Sequence, residues 1–260
     1  MESERQRESL RSRRAKDFVS SMSVRSMYSE ELRQRDKDLF PFNYLVVRPL
    51  SFPVAAWFIR RGISATQVTF IGMWLLLVGF TLFAAPIASL TYVTGNTFYF
   101  WALAGAVLIN AWFFLDDVDG NIARYTKTSS PRGALVDTVT GQLYHVFSPV
   151  FVGLHLWLTT SPEGYQTIWY LVAGLLLGVI ISSRIGISRT ISLKIPAGPD
   201  SGAYNKPSLV AWFGYILQSI KAPLLLIAAF IRILPLWLMF VGLLESILYI
   251  RTLARAYRKG

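Results

Sequence analysis

The stretch AWFFLDDVDGNIAR, residues 111–124, ends an apolar run with three closely spaced aspartates. The apolar run begins near residue 97, so its length approaches the roughly 20 residues that cross a bilayer. Carboxylates at a membrane boundary are energetically costly and are therefore candidates for a functional site. On a helix, Asp116 and Asp119 share one face because they are separated by one turn. The stretch predicts a membrane helix that ends in a polar site.

The middle aspartate, Asp117, is interpreted differently from its neighbours. It points about 100° away from Asp116 around the helix axis. We expect it to be a helix-terminal charge that pairs with Arg124 or Lys127.

Apolar segments on both sides of this stretch predict an all-α integral membrane protein, a bundle of six transmembrane helices. Hydrophobic residues make up 53% of the 260 residues and charged residues 16%, whereas a soluble domain has about 25% charged residues. The chain has no cysteine, which excludes a disulfide framework and cysteine-ligated metal centres. The predicted spans are residues 66–86, 97–117, 133–160, 164–184, 208–231 and 234–253. The 208–231 span contains Lys221 and Pro223, so we expect it to be kinked or partly interfacial.

The net charge of +11 is explained by membrane topology. With six spans, 24 of the 26 Lys and Arg residues fall on one side of the membrane, as the positive-inside rule requires for a cytoplasmic side. The prediction is a protein of the cytoplasmic (inner) membrane with both termini in the cytoplasm, where basic residues contact anionic membrane lipids. Because topology accounts for the basic charge, nucleic-acid binding has no remaining support.

The domain organisation follows from the same pattern. Residues 1–41 form a charged cytoplasmic tail, and residues 42–62 form an interfacial amphipathic segment because Arg48 and two prolines interrupt its apolar run. A seventh span is the alternative for that segment. Residues 63–254 form the predicted six-helix transmembrane domain, and residues 255–260 form a basic cytoplasmic C-terminus.

A third carboxylate, Asp137, lies on the next predicted helix, four residues after Gly133. Two antiparallel helices joined by residues 118–132 can bring Asp116, Asp119 and Asp137 to one point. Carboxylates this close repel each other unless they are neutralised, and oxygen-only ligands suit hard cations such as Mg²⁺, Mn²⁺ or Ca²⁺. The pattern predicts metal-assisted phosphoryl chemistry at the cytoplasmic face, with one or two ions. The alternative is that these aspartates are helix-terminal charges.

The positions of these residues resemble the signature of the CDP-alcohol phosphotransferase family, D-x2-D-G-x2-A-R-x8-G-x3-D-x3-D. Seven of the eight fixed positions match. The upstream segment ISATQVT, residues 63–69, is also similar to the family's pattern. The matching residues of the signature are Asp116, Asp119, Gly120, Ala123, Arg124, Gly133 and Asp137.

The resemblance implies a six-helix membrane bundle, usually a homodimer, with a polar cavity open to the cytosol. Members of the family cleave a CDP-alcohol donor, often CDP-diacylglycerol, and release CMP. They transfer the phosphatidyl or phospho-alcohol group to a hydroxyl acceptor in phospholipid or glycolipid biosynthesis. The cofactor implied is Mg²⁺ or Mn²⁺, one or two ions.

The resemblance also assigns roles to individual residues. The metal ligands would be Asp116, Asp119 and Asp137. Gly120 and Ala123 would make room for the nucleotide, Arg124 would support the acidic cluster or the pyrophosphate, and Gly133 would allow close helix approach. The nucleotide- and phosphate-binding set is Thr69, Gly120, Ala123, Arg124, Lys127, Arg132 and Gly133.

The eighth signature position is Gly141 instead of aspartate. In the family this aspartate is a metal ligand and the proposed general base, and such a base contributes about 10²–10⁴-fold in rate. One interpretation is that His145 or Asp137 deprotonates the acceptor, although a lone histidine is more often a packing residue. Another is an acceptor that is already anionic, such as a polyprenyl phosphate. The chain would otherwise be a non-catalytic relative that binds nucleotide or lipid, or an engineered variant.

Basic residues near the cytoplasmic end of the fourth span are candidates for acceptor binding. Arg184 and Arg189 lie there, and their charge suits a phosphorylated or carboxylated acceptor. The alternative is ordinary positive-inside flanking. A transporter is disfavoured because the sequence shows no internal repeat. The two functions that remain are a membrane transferase and a non-catalytic binding protein.

Overall fold

The computed structural model describes residues 19–88, 96–160, 167–194 and 209–259. Within these ranges the chain is helical and contains no strand, which confirms the all-α prediction for them. A π-helical stretch, Asn43–Val47, precedes the third helix, and a 3₁₀ turn, Ala85–Ala88, follows the fourth. The helices are α1 (Ser21–Arg25), α2 (Glu30–Leu39), α3 (Arg48–Arg60), α4 (Ala65–Ala84), α5 (Asn96–Thr126), α6 (Pro131–Thr160), α7 (Ile168–Lys194), α8 (Leu209–Ser219), α9 (Lys221–Phe230) and α10 (Leu234–Lys259).

Four helices among the described residues are long and apolar enough to cross a membrane. They lie within α4, α5, α7 and α10, at the first, second, fourth and sixth predicted spans. The chain is therefore an integral membrane protein. The predicted third span coincides with α6, which is 30 residues long but begins with largely exposed turns. The count of six spans stays a prediction.

Helix α5 continues to Thr126, well past the predicted end of its span at residue 117. The signature up to Arg124 therefore lies on a helix, and the predicted linker 118–132 shortens to residues 127–130. The reason is that the sequence contains no proline until Pro131, so nothing interrupts the helical hydrogen bonds.

Both ends of this short linker are capped. Lys127 adopts a left-handed conformation with φ 56°, and the N–H of Thr128 donates to the carbonyl of Ala123 at 2.9 Å, which closes α5 with the usual C-terminal motif. On the other side, Ser130 Oγ accepts from the N–H of Gly133 at 3.1 Å and so caps α6. The linker is therefore a defined turn between the two signature helices.

The predicted 208–231 span is two helices, α8 and α9, which meet at Ile220. Pro223 explains the break. It lacks the N–H that would bond the carbonyl of Ser219, and its ring clashes with that carbonyl. The expected kink is thus a complete interruption of the helix.

The chain divides into two compact units. The first comprises the residues up to Trp74 together with Ala111–Asp137, and the second comprises Leu75–Asn110 together with the residues from Thr138 onward. The first unit contains all three signature aspartates.

The core of the first unit joins the N-terminal helices to the signature helix. Its buried apolar residues are Val19, Val24, Tyr28, Phe52, Ala55, Ala56, Ile59, Val68, Val118 and Ile122. Residues 19–39, which belong to the predicted charged tail, therefore fold onto this unit as α1 and α2. Residues 1–18 of that tail lie outside the described residues.

Helix α3 has one face in this core and one face exposed. Ser51, Phe52 and Ala55 are buried, whereas Leu50 and Trp57 are exposed. An exposed apolar face agrees with the predicted interfacial position of residues 42–62, which stays a prediction.

In the second unit, α6 and α7 approach each other at two glycines. A Cβ on Gly153 would meet the carbonyl of Tyr170, and a Cβ on Gly174 would meet the carbonyl of Pro149. Small residues at such crossings let helix backbones pack closely inside a membrane.

Candidate functional site

Helix α5 presents two opposite faces over its last three turns. Asp117, Val118, Asn121 and Ile122 are buried in the core of the first unit. The other signature residues lie on the opposite side, because residues one apart are about 100° apart around the axis. The signature face, which we define as Asp116, Asp119, Gly120 and Ala123, is only partly buried. The helix thus buries one side and keeps the signature face accessible.

Two carboxyl groups of the signature approach each other across the pair of helices. Asp116 on α5 is close enough to Asp137 on α6 for their charges to interact, and Asp119 is close enough to add its charge. Asp137 itself is exposed. The structure therefore brings the three predicted aspartates into one region of the first unit.

Thr69 on α4 orients the third carboxylate. Its Oγ1 donates to Oδ2 of Asp119 at 2.6 Å and lies 3.0 Å from the carbonyl oxygen of Ala65. A hydroxyl that bonds a carboxylate holds it in one rotamer. Thr69 thus lies beside the signature residue Asp119 in the candidate site.

The donor set of this region suits a hard cation. Asp116, Asp119 and Asp137 offer only oxygen, and carboxylates in contact repel unless a proton or a cation lies between them. Among the described residues, however, no three His, Asp or Glu side chains are grouped tightly enough to surround one ion. Asp119 is held toward Thr69 instead. The oxygen ligands that these residues offer fit Mg²⁺ or Mn²⁺. Their side chains, however, are not grouped as tightly as the ligands of a formed metal centre.

Asp117 has a partner that the sequence did not predict. Its Oδ1 pairs with Nη1 of Arg48 at 2.7 Å, and its Oδ2 accepts from Nδ2 of Asn43 at 3.1 Å. Arg124 adds only a nearby charge. The expected pairing with Arg124 or Lys127 is corrected because the face of α5 that carries Asp117 is buried against residues 43–59.

The side chain of Arg124 folds back along α5. Its Nη2 donates to Oδ1 of Asn121 at 2.7 Å, and a Cβ on Gly120 would lie 3.3 Å from the same nitrogen. The space beside Gly120 is therefore occupied by the guanidinium group. A nucleotide that uses this space has to meet or displace Arg124.

The other predicted phosphate-binding residues surround the linker. Lys127 and Arg132 are exposed, and Ala123 is partly buried on the signature face. The only described atom within 4 Å of a Cβ on Gly133, apart from its own helix backbone and chain neighbours, is Oγ of Ser130. Among the described residues, the close helix approach expected at Gly133 is therefore not seen, because this position lies in the first, exposed turn of α6.

The second unit contains a buried ion network around Glu245 of α10. Its Oε1 pairs with Nζ of Lys221 at 2.9 Å, and its Oε2 pairs with Nε of Arg184 at 3.0 Å. Lys221 and Glu245 are fully buried. Charged groups inside a membrane domain persist when they are paired in this way. The network ties α7, α9 and α10 together.

We expect Glu245→Gln to destabilise the protein by about 3 kcal/mol, because removing one partner leaves buried Lys221 without a counter-charge. Thermal unfolding in detergent measures this. The double variant Lys221→Met/Glu245→Gln is the control, and it should recover part of the loss because it removes both charges. Unfolding of Glu245→Gln at the wild-type temperature would contradict the importance of the pair.

His145 joins the same network. Its Nδ1 lies 3.5 Å from Nζ of Lys221, and the ring is only partly exposed. A ring nitrogen that faces an ammonium group has to act as an acceptor. This contact supports the packing interpretation of His145 more than a role as general base.

A basic cavity of about 110 Å³ lies beside this network in the second unit. Arg184 lines it, together with Arg251 and Arg255 from α10. Its other lining residues are Ser188, Gly214, Tyr215, Gln218, Leu248 and Thr252. Arg189, the second predicted acceptor residue, lies on α7, but its side chain is outside those that the structure describes.

Sequence reasoning missed two groups of residues. Glu245 and Lys221 could have been found, because opposite charges in two apolar spans predict a buried pair. Asn43 and Arg48 carried no comparable signal. Arg48 was interpreted only as an interruption of the interfacial segment, because its partner lies far away in the sequence.

Comparisons with known proteins agree with the signature. The family described as CDP-alcohol phosphatidyltransferase matches residues 62–248. A phosphatidylinositol phosphate synthase from Streptomyces avermitilis is 33% identical over 105 residues, which is 40% of this chain and 37% of that protein. The chain thus matches little more than a third of the length of this relative.

Proposed function

Because the chain belongs to the CDP-alcohol phosphatidyltransferase family, we propose that it cleaves a CDP-linked donor, CDP-diacylglycerol or a similar CDP-alcohol, with the help of a divalent metal. The reaction releases CMP and moves the phosphatidyl or phospho-alcohol group to an acceptor. At the coarser level, the family and the relative support a membrane transferase of phospholipid biosynthesis. The proposal places the chain in the cytoplasmic membrane with both termini in the cytoplasm, as a homodimer.

The observation that carries this proposal is the proximity of Asp116, Asp119 and Asp137, which are close enough for their charges to interact. These three residues would hold one or two Mg²⁺ or Mn²⁺ ions, which would neutralise the diphosphate and stabilise the departing CMP. Thr69 holds Asp119 in position from α4. Arg124, Lys127 and Arg132 carry the positive charge that a diphosphate needs nearby.

The acceptor site is proposed at Arg184 and Arg189. The support is the basic cavity of the second unit, which has three arginine side chains in its wall. Guanidinium groups bind phosphate and carboxylate through paired hydrogen bonds. The acceptor in this proposal is a lipid or alcohol that carries a negative charge.

A second candidate reaction uses an acceptor that is already anionic, such as a polyprenyl phosphate. Two observations favour it over a hydroxyl acceptor. Gly141 supplies no base, and the ring nitrogen Nδ1 of His145 faces Lys221 instead of an open site. A phosphate acceptor attacks without losing a proton, so the missing aspartate would cost it little.

The test is CMP release by the purified protein in detergent micelles. We expect CMP release from CDP-diacylglycerol with Mg²⁺ or Mn²⁺, and its loss after the metal is removed with EDTA. Alcohols and lipid phosphates are compared as acceptors. Absence of metal-dependent turnover with every cytidine nucleotide donor would instead support a non-catalytic binding protein.

The pH dependence separates the two acceptor classes. With an anionic acceptor, we expect the rate to be nearly flat between about pH 6 and pH 8, because no residue has to accept a proton. A histidine base near its ordinary pKa would give a clear limb in that range. The His145→Gln variant is the control, and its profile should match that of the wild type. A limb that disappears in this variant would establish His145 as the base.

A further inference from the structure

The face of α5 opposite the signature face is held by residues 19–60, which we call the N-terminal clamp. Arg48 lies at the centre of its polar contacts. Nη1 of Arg48 pairs with Asp117 of α5 at 2.7 Å, and Nε of Arg48 pairs with Asp36 of α2 at 3.0 Å. Tyr28 donates to the same Asp36 at 2.9 Å. One arginine therefore connects α2, α3 and α5.

These contacts are buried. The side chain of Arg48 is 11% exposed, and those of its two partners are 2% and 9% exposed. Burial lowers the pKa of Arg48, but the charges of Asp117 and Asp36 outweigh this effect and raise it above its ordinary value. Burial and Asp36 also raise the pKa of Tyr28, so its hydroxyl stays protonated and keeps donating.

The clamp attaches to α5 at two points one turn apart. Arg48 and Asn43 bind Asp117, and Oγ of Ser51 accepts from Nδ2 of Asn121 at 2.7 Å. On the same buried side of the helix, Val118 and Ile122 belong to the same core as Phe52, Ala55 and Ala56. Two polar attachments on one face oppose rotation of the helix about its own axis.

Rotation of α5 would move the signature carboxylates directly. A side-chain tip lies about 5 Å from the helix axis, so a rotation of about 20° displaces it by nearly 2 Å. Mg²⁺ requires ligands close to its ideal geometry at about 2.1 Å, and a displacement of about 1 Å can cost a reaction about 100-fold. The direction of Asp116 and Asp119 thus depends on what holds the opposite face.

We propose that Arg48 is a positioning residue, whose ion pair with Asp117 fixes the rotation of α5 and thereby aims Asp116 and Asp119. The positioning of α5 itself does not depend on the reaction, whereas its effect on catalysis rests on the proposed function. The test therefore has one readout that requires no activity and one that does.

The first readout is disulfide formation between the cysteines of the Thr69→Cys/Asp119→Cys variant. The chain has no native cysteine, and the two side chains meet in the wild type at 2.6 Å. We expect fast cross-linking in this background and at least about fivefold slower cross-linking when Arg48→Lys is added, because lysine keeps the charge but lacks the planar fork that spans two carboxylates. Arg60→Lys, an exposed position on the same helix, is the matched control and should leave the rate unchanged.

The second readout is Mn²⁺ affinity and CMP release in the protein with Thr69 and Asp119 intact. Supporting residues of a metal site affect affinity about 10–100-fold, and we expect losses in this range for Arg48→Lys, measured below its unfolding temperature. Cross-linking and Mn²⁺ affinity of Arg48→Lys equal to those of the wild type would overturn the proposal. A wild type without activity, combined with slower cross-linking in Arg48→Lys, would refute the proposed function and leave the positioning role standing.

Discussion

The Asp119→Asn variant is expected to release CMP at least about 1000-fold more slowly than the wild type. A ligated metal contributes several kcal/mol of transition-state stabilisation, and each 1.36 kcal/mol corresponds to a factor of ten in rate. Asparagine has the shape of aspartate and can still accept the hydrogen bond that Thr69 donates to Asp119 at 2.6 Å. The fold should therefore survive, and the unfolding temperature should not fall.

The measurement is the initial rate of CMP release from CDP-diacylglycerol with saturating Mn²⁺. Asp38→Asn is the control, since Asp38 lies on α2 and accepts a hydrogen bond from Gln34 of the same helix at 3.0 Å. It should retain activity within about twofold. A rate for Asp119→Asn within tenfold of the wild type would remove this carboxylate from the catalytic site.

The Gly141→Asp variant is expected to show the second large effect on the reaction rate. A Cβ at Gly141 meets no atom of the described residues within 4 Å, so the new side chain has room among them on α6, one turn beyond Asp137. We expect it to change the rate or the choice of acceptor, with a gain of about 100-fold or more for a hydroxyl acceptor, because the carboxylate can act as general base. Metal binding should be retained.

Gly141→Asn is the matched control for this variant. It replaces the helical glycine equally and gains the same helix propensity, but it supplies no base. Only the aspartate variant should gain rate with a hydroxyl acceptor. If Gly141→Asp loses Mn²⁺ binding, the placement of the metal site at Asp116, Asp119 and Asp137 is wrong.

The signature face could be predicted from the sequence because helix geometry is local. The spacing of Asp116 and Asp119 places them on one side of α5 whatever surrounds the helix, and the structure has them there. The apolar spans are local in the same sense, and four of them are confirmed. The end of α5 was misplaced because hydropathy marks where the apolar run stops, whereas the helix stops only where Lys127 turns left-handed.

The charged partners could not be predicted in this way. Asn43 and Asp117 are separated by 74 positions, and no periodicity connects residues so far apart. Asp117 was therefore assigned to nearby Arg124 and Lys127, whereas packing of α3 against α5 brought Arg48 to it. His145 is a similar case, because its contact Lys221 lies 76 positions away in the sequence.

The sequence by itself determined that the chain enters the membrane and that one helix face carries the carboxylates of the signature, since both follow from the spacing of residues along a helix. Only the tertiary structure decided which side chains neutralise Asp117 and Glu245 and how the opposite face of α5 is held. The physical reason is that ion pairs depend on the approach of side chains in space, and burial makes that approach selective because an unpaired charge in an apolar interior is too costly to persist.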